Sequence, residues 1–108
     1  MQRILAVGNP PSAIVAAYDQ MAIGAIRALR DAGLSVPEDV SVIGMDDLSA
    51  TRYLEPPLTT LRLCYEGIAP ELAALIVQLA KDRTYRPVAL PSVSAKLCIR
   101  SSVARRFE

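Results

Sequence analysis

The chain has 108 residues, of which 52% are apolar and 21% charged, with a net charge of +1; such a balance fits an ordinary folded chain and argues against disorder. Twelve Lys and Arg against eleven Asp and Glu leave no basic excess, so nothing marks a free-standing nucleic-acid binder. The absence of histidine, with only two cysteines present, removes the usual base for a serine or cysteine nucleophile and any ordinary zinc set, so the reading is not an enzyme and has no metal or cofactor.

In chain order, residues 1–7 read as the end of a helix, closed by the turn Asn9-Pro10-Pro11-Ser12 because paired prolines fix φ and remove donors. That interruption also denies the N-terminus the form of a secretory signal. No apolar run approaches the roughly 20 residues that span a bilayer; no membrane partner is expected, and the cytoplasm is the expected compartment. Residues 13–17 form a short continuous apolar run, as in a parallel strand buried on both faces. Asp19 stands where it would cap a helix running from Gln20 to Ala32, and Gly33 suits the left-handed position that ends one. On this helix Gln20, Arg27, Arg30 and Asp31 share one narrow face, while Met21, Ile23, Ala25, Ile26 and Leu29 belong to an apolar arc. The arc is wider than one sheet covers, so a second subunit is expected on it.

Pro37-Glu38-Asp39 makes a turn before a second buried strand at 40–44, which completes a βαβ unit with parallel strands. A short helical turn is predicted at 49–55, a strand at 58–63 and a helix at 68–81 with Pro70 in its first turn. Strands follow at 88–90 and 93–99. Cys64 and Cys98 read as buried structural thiols, and Arg100, Arg105 and Arg106 as a solvated tail. Gly24 and Gly44 read as close-packing positions, because no phosphate-binding glycine string surrounds them. Ligands of open parallel sheets bind beyond the carboxyl ends of the strands. That rule selects the segments 17–19 and 45–47.

Three strings then carry a resemblance. Ala16-Ala17-Tyr18-Asp19-Gln20-Met21-Ala22-Ile23-Gly24-Ala25, the stretch from Leu34 to Asp47 (LSVPEDVSVIGMDD) and Pro56-Pro57-Leu58-Thr59-Thr60-Leu61-Arg62 resemble, in order and spacing, the signatures of the lac repressor and galactose repressor regulators. The resemblance implies an α/β fold with a parallel sheet flanked by helices, part of a periplasmic-binding-protein-like (type I) architecture of two lobes around a sugar-sized cleft. It places residues 1–60 in the second lobe, 61–84 as a strand and helix of the first, and 85–108 as the return to the second. The helix-turn-helix that contacts DNA falls outside this sequence. On this division neither lobe is complete.

The implied function is effector binding and dimerisation, with a small molecule, a sugar by family habit, as ligand, a second copy as partner, and DNA reached only through the absent N-terminal domain. Asp46 matches the aspartate that contacts effector in the family, and a carboxylate suits two neighbouring sugar hydroxyls. Tyr18 replaces a common asparagine and offers a flat face for stacking. Leu63 replaces a common glutamine, which makes the pocket less polar, and Asp19 faces the cleft only secondarily. Asp47 is assigned to capping the next turn and Arg62 to a surface ion pair. The resemblance places dimer contacts on the helix 21–32 and the segment 49–56, which adds Tyr53. The alternatives are a fragment of a periplasmic sugar-transport receptor and a degenerate remnant that only oligomerises.

Overall fold

Residues 5, 8–87 and 92–105 are described by the computed structural model. Along them run β1 (Ala13–Val15), α1 (Asp19–Asp31), β2 (Ser41–Met45), a 3-10 turn (Ser49–Tyr53), β3 (Thr59–Cys64), α2 (Ile68–Lys81) and β4 (Ser94–Cys98). The helix expected at 68–81 has those bounds, and the other elements within the described residues fall within about two residues of the sequence reading. The helix end expected at 1–7, Leu5 apart, and the strand at 88–90 lie outside the described residues. The strands form one sheet in the order β1-β2-β3-β4. β1 pairs parallel with β2, with Ile14 opposite Val42, and β2 pairs parallel with β3, with Gly44 opposite Thr60.

The chain forms two compact units, Met1–Arg62 with Lys96–Glu108, and Leu63–Ala95. In the first, α1 lies on the sheet face that carries Ile14, Val42 and Gly44, and the core joins Ala16, Ala22, Ile26, Leu29, Val40, Val42 and Leu58. The end of α1 follows from Gly33. With φ +76 it lets Leu34 N–H reach Leu29 O at 3.0 Å and Gly33 N–H reach Arg30 O at 3.0 Å. These two bonds satisfy carbonyls the helix leaves open and return Leu34 to the core.

Three expectations about packing change. Ala25, Ile26 and Leu29 are buried inside this unit, so they pack chiefly within it and offer little surface to a second subunit; Met21 and Tyr53 are exposed, Tyr53 at 87%, and Ile23 is half-buried. β1 is not covered on both faces, since α1 takes only the Ile14 side and Val15 is left 81% exposed. Gly24 has open space where a side chain would stand, whereas a methyl group at Gly44 would overlap the Asp19 carboxyl and touch Leu58.

Arg100 is not part of a solvated tail. The chain after β4 comes back beside β2, where Val42 N–H donates to Ser102 O at 2.8 Å and Ser102 Oγ donates to Val42 O at 2.5 Å. Thr59 N–H donates to Ser102 Oγ at 2.8 Å. β3 starts opposite Ile43, so Ser102 fills the lane beside Val42 that β3 has not yet entered. It satisfies backbone groups that would otherwise be buried without partners.

In the second unit, Gly67 at φ 87 precedes α2, and Asp82 closes it by accepting from Thr84 N–H at 2.8 Å and Thr84 Oγ1 at 2.6 Å. No residue of α2 is buried, and Ile76 is 65% exposed. Cys64 and Cys98 are free and half-buried rather than buried. No helix among the described residues is long and apolar enough to cross a membrane.

Two glycine substitutions separate the packing roles. Gly24→Ala is expected to raise stability by roughly 0.5–1 kcal/mol, since a mid-helix glycine costs entropy and nothing obstructs a methyl there. Gly44→Ala is expected to lower it, by more than that gain. Urea denaturation of both variants checks the pair of signs, and a stabilised Gly44→Ala would contradict the packing described.

Candidate functional site

The carboxyl ends of β1 and β2 are adjacent because the strands are parallel and in register, Val15 opposite Ile43. Tyr18 and Asp46 each follow three residues later. Tyr18 sits in extended backbone at the head of α1 and is 56% exposed. Three aspartates gather around this edge, and the structure gives each a different environment.

Asp19 does not cap its helix: the capping position is Tyr18, and no side chain there makes a capping bond. The Asp19 side chain instead turns into the unit, fully buried. Oδ1 accepts Thr60 Oγ1–H at 2.6 Å and Oδ2 accepts Leu48 N–H at 2.8 Å. Both oxygens are thereby engaged by the protein, so the role left to Asp19 is to tie α1, β3 and the loop after β2 together, not to face a ligand. Gly44 makes room for it.

Asp46 has φ 113 and Asp47 φ 53, a left-handed backbone that costs a non-glycine residue about 1–3 kcal/mol and persists only where the surroundings impose it. Here they do. Asp46 N–H donates to Leu61 O at 2.8 Å, Asp47 N–H to Thr60 Oγ1 at 3.4 Å, and Leu48 N–H to Asp19. The Asp46 carboxyl, half-exposed, has no hydrogen-bond partner among the described residues.

Asp47 does not cap the 3-10 turn, whose leading residue is Leu48. Its side chain, 1% exposed, accepts from Arg62 Nε at 2.8 Å and Nη2, from Arg100 Nη2, and more distantly from Arg52 Nη2 at 3.5 Å. The surface ion pair expected of Arg62 is thus half-right: the arginine is exposed, its partner is not. Arg100 also donates through Nη1 to Thr51 Oγ1 at 3.0 Å and Leu58 O at 2.7 Å. The sequence reading missed this cluster, along with buried Thr51, Thr60 and Ser102. The available signals were the aspartate doublet at a strand end and Arg100 directly after an alternating strand.

Leu63 belongs to β3 in the second unit and is half-buried. Clefts of about 450 Å³, 320 Å³ and 270 Å³ border α1, the first along Gly24, Arg27, Ala28 and Asp31, the other two lined by residues of α1, by Leu34–Val36 and by Leu54–Pro56. None of the three includes Tyr18 or Asp46. Ile23 and Leu54 both line the 270 Å³ cleft, beside which Arg30 Nη2 donates to Glu55 O at 2.5 Å. Among the described residues no cluster of histidine, cysteine or carboxylates could hold a metal.

Burial pushes the Asp47 pKa up, but hydrogen bonds from Arg100 and Arg62, and their charges, outweigh it and bring the group down to about 2 from 3.8. A depressed folded value means stability that is present above about pH 4 and lost as the pH falls from there through 2. Asp47→Asn is expected to cost roughly 1–2 kcal/mol at pH 7, allowing for solvent at exposed Arg62. The gap from the unsubstituted protein should shrink from about pH 4 downward and be mostly gone at pH 2. Denaturant titrations across that range check it; a gap independent of pH would contradict the charge cluster.

Comparison with known proteins now places the chain. A family model of the periplasmic binding protein-like domain matches residues 1–103. The lactose operon repressor of Rhizobium radiobacter is 42% identical over 82% of this chain and 80% of its own length. Among solved structures, the lac repressor dimer bound to operator and the anti-inducer ONPF is similar with a TM-score of 0.72 and 33% identity, over 95% of this chain and 35% of that one. The transcriptional regulator CelR in complex with cellobiose is similar with a TM-score of 0.68 and 38% identity, over 84% of this chain and 28% of that one. The chain spans only 25% to 32% of the length of several other repressors it matches. The chain belongs to the lac repressor family and represents part of its periplasmic-binding-protein-like domain.

Proposed function

We propose that this chain supplies the effector-binding and dimerising part of a lac-repressor-type transcription regulator, with a sugar as effector. One observation carries the reading. Of the three aspartates at the strand ends, Asp19 and Asp47 are consumed by internal bonds, while Asp46 is held in strained backbone with its carboxyl unpartnered among the described residues. Strain kept at a polar residue beyond a parallel strand is what a ligand-presenting position requires. Asp46 accepts hydroxyl hydrogens, and Tyr18 provides a flat wall for a sugar ring. Related regulators whose names or complexes involve lactose and cellobiose support a sugar over other small molecules.

Dimer contact is assigned to the exposed part of α1 and the neighbouring turn, namely Met21, Ile23 and Tyr53. The shared cleft of Ile23 and Leu54 and the bond from Arg30 to Glu55 O support a single continuous surface. DNA contact belongs to another part of the intact regulator, which works in the cytoplasm without a catalytic step. Effector acts by preferring one of two arrangements of the regulator.

Asp46 separates ligand binding from stability. In the intact regulator, Asp46→Gly is expected to raise stability by roughly 1 kcal/mol, by relieving a positive φ. The same change should weaken sugar binding at least about tenfold, because a charge-assisted bond is lost. Calorimetric titration with D-glucose, D-galactose, lactose and cellobiose, beside thermal melts, checks both. An Asp46→Gly protein that binds as tightly as the unsubstituted one would remove Asp46 from the site.

A further inference from the structure

The strained pair Asp46-Asp47 divides into one carboxyl that faces outward and one that is locked. Asp47 grips Arg62 and Arg100 at once, and both places matter in the chain path. Arg62 is the last residue of the first unit before the chain enters the second, and Arg100 lies four residues after the chain returns at Lys96. Arg100 in turn binds Leu58 O at the approach to β3 and Thr51 Oγ1 in the 3-10 turn, while its own N–H donates to Thr59 Oγ1 at 2.9 Å. The residue next to Asp46 is therefore bonded to the strand that leaves the unit and to the segment that comes back.

We propose that Asp47 is the positioning residue of the effector site, its clamp on Arg62 and Arg100 fixing the left-handed backbone that presents Asp46 and tying that backbone to both crossings of the chain. This rests on the effector reading of Asp46. The geometry explains why the backbone of two adjacent non-glycine residues stays left-handed. Amide bonds to Leu61 and Asp19 hold its two ends. Its middle is held by a long bond from the Asp47 amide to Thr60 Oγ1 at 3.4 Å and, more closely, by the Asp47 side chain on its arginines. Asp47 does not touch the ligand, and a change there acts through Asp46. A displacement of Asp46 by ligand is passed through Asp47 to the guanidinium groups of Arg62 and Arg100.

The test uses the full-length protein with Asp47→Asn, and with Arg100→Lys as a milder second variant that keeps the charge but loses the fork. Arg27→Ala, which breaks an exposed pair with Asp31 on α1, is the control. Amide hydrogen exchange needs no ligand. Exchange at Asp46 and Leu48 is expected to rise about tenfold or more in Asp47→Asn, less in Arg100→Lys and not in the control, while Val42 and Leu29 change far less. A merely structural role would speed Val42 and Leu29 by the same factor, and that outcome, or unchanged exchange at Asp46, overturns the proposal. In parallel, affinity for whichever of D-glucose, D-galactose, lactose and cellobiose binds the unsubstituted protein is expected to fall about tenfold in Asp47→Asn. Loosened amides with unaltered affinity also overturn it. Failure of all four sugars to bind the unsubstituted protein counts against the effector reading, while the exchange data decide separately whether Asp47 fixes the Asp46 backbone.

Discussion

One buried carboxyl group holds the sheet edge, the helix and the loop together. Asp19 lies with no solvent contact at the start of α1, and its two oxygens take a hydroxyl from β3 and an amide from the loop after β2. Burial of such a group without partners is costly, and with them it is rigid, because each bond in a region of low dielectric is strong and directional. The requirement spreads outward. Gly44 has no side chain because Asp19 occupies that space. Thr60 supplies a hydroxyl where an apolar strand residue would otherwise serve. The left-handed pair Asp46-Asp47 is anchored at its far end, where the following amide, Leu48 N–H, is committed to Asp19.

On that frame, charge does the remaining work. Asp47 is nearly inaccessible and meets arginines from the neighbouring turn, from β3 and from the returning C-terminal segment. Buried ion pairs gain little net stability over apolar packing, yet breaking one leaves an uncompensated charge. Their value is in fixing which segments lie together. Arg100 satisfies Thr51 and Leu58 O as well as Asp47, and Ser102 continues the pairing of β2 where β3 has not begun. No buried side-chain nitrogen or oxygen among the described residues lacks a partner. Asp46 is half-exposed and its carboxyl stands outside these bonds, which is the basis for proposing it as the ligand contact.

Local signals in the sequence lead to most of the fold. The apolar runs beside proline turns give β1 and β2, Gly33 gives the end of α1, and Gly44 reads as a close approach because a strand interior rarely carries glycine without such a reason. Family strings at Tyr18, Asp46 and Arg62 direct attention to the edge where the three aspartates gather. What stayed hidden depends on long-range contact. Nothing local distinguishes Asp19 as a buried tie from Asp19 as a helix cap, since both roles put an acid before an apolar helix. Ser102 and Arg100 act on residues more than forty positions away, so their chemistry cannot be read from neighbours. The apolar arc of α1 was wide for a different reason than a partner alone: Ala25, Ile26 and Leu29 fill the unit's own core, and only the margin of the arc remains for contact.

A crystal structure of the intact protein with a sugar that binds it tests the central claim most directly, namely that Asp19 and Asp47 are spent in order to present Asp46. The account expects sugar hydroxyl oxygens at about 2.5–3.0 Å from the Asp46 carboxyl oxygens, with Asp19 still on Leu48 and Thr60, and Asp47 still on Arg62 and Arg100. A sugar seated away from Asp46, or one that takes over the bonds of Asp19 or Asp47, would contradict it.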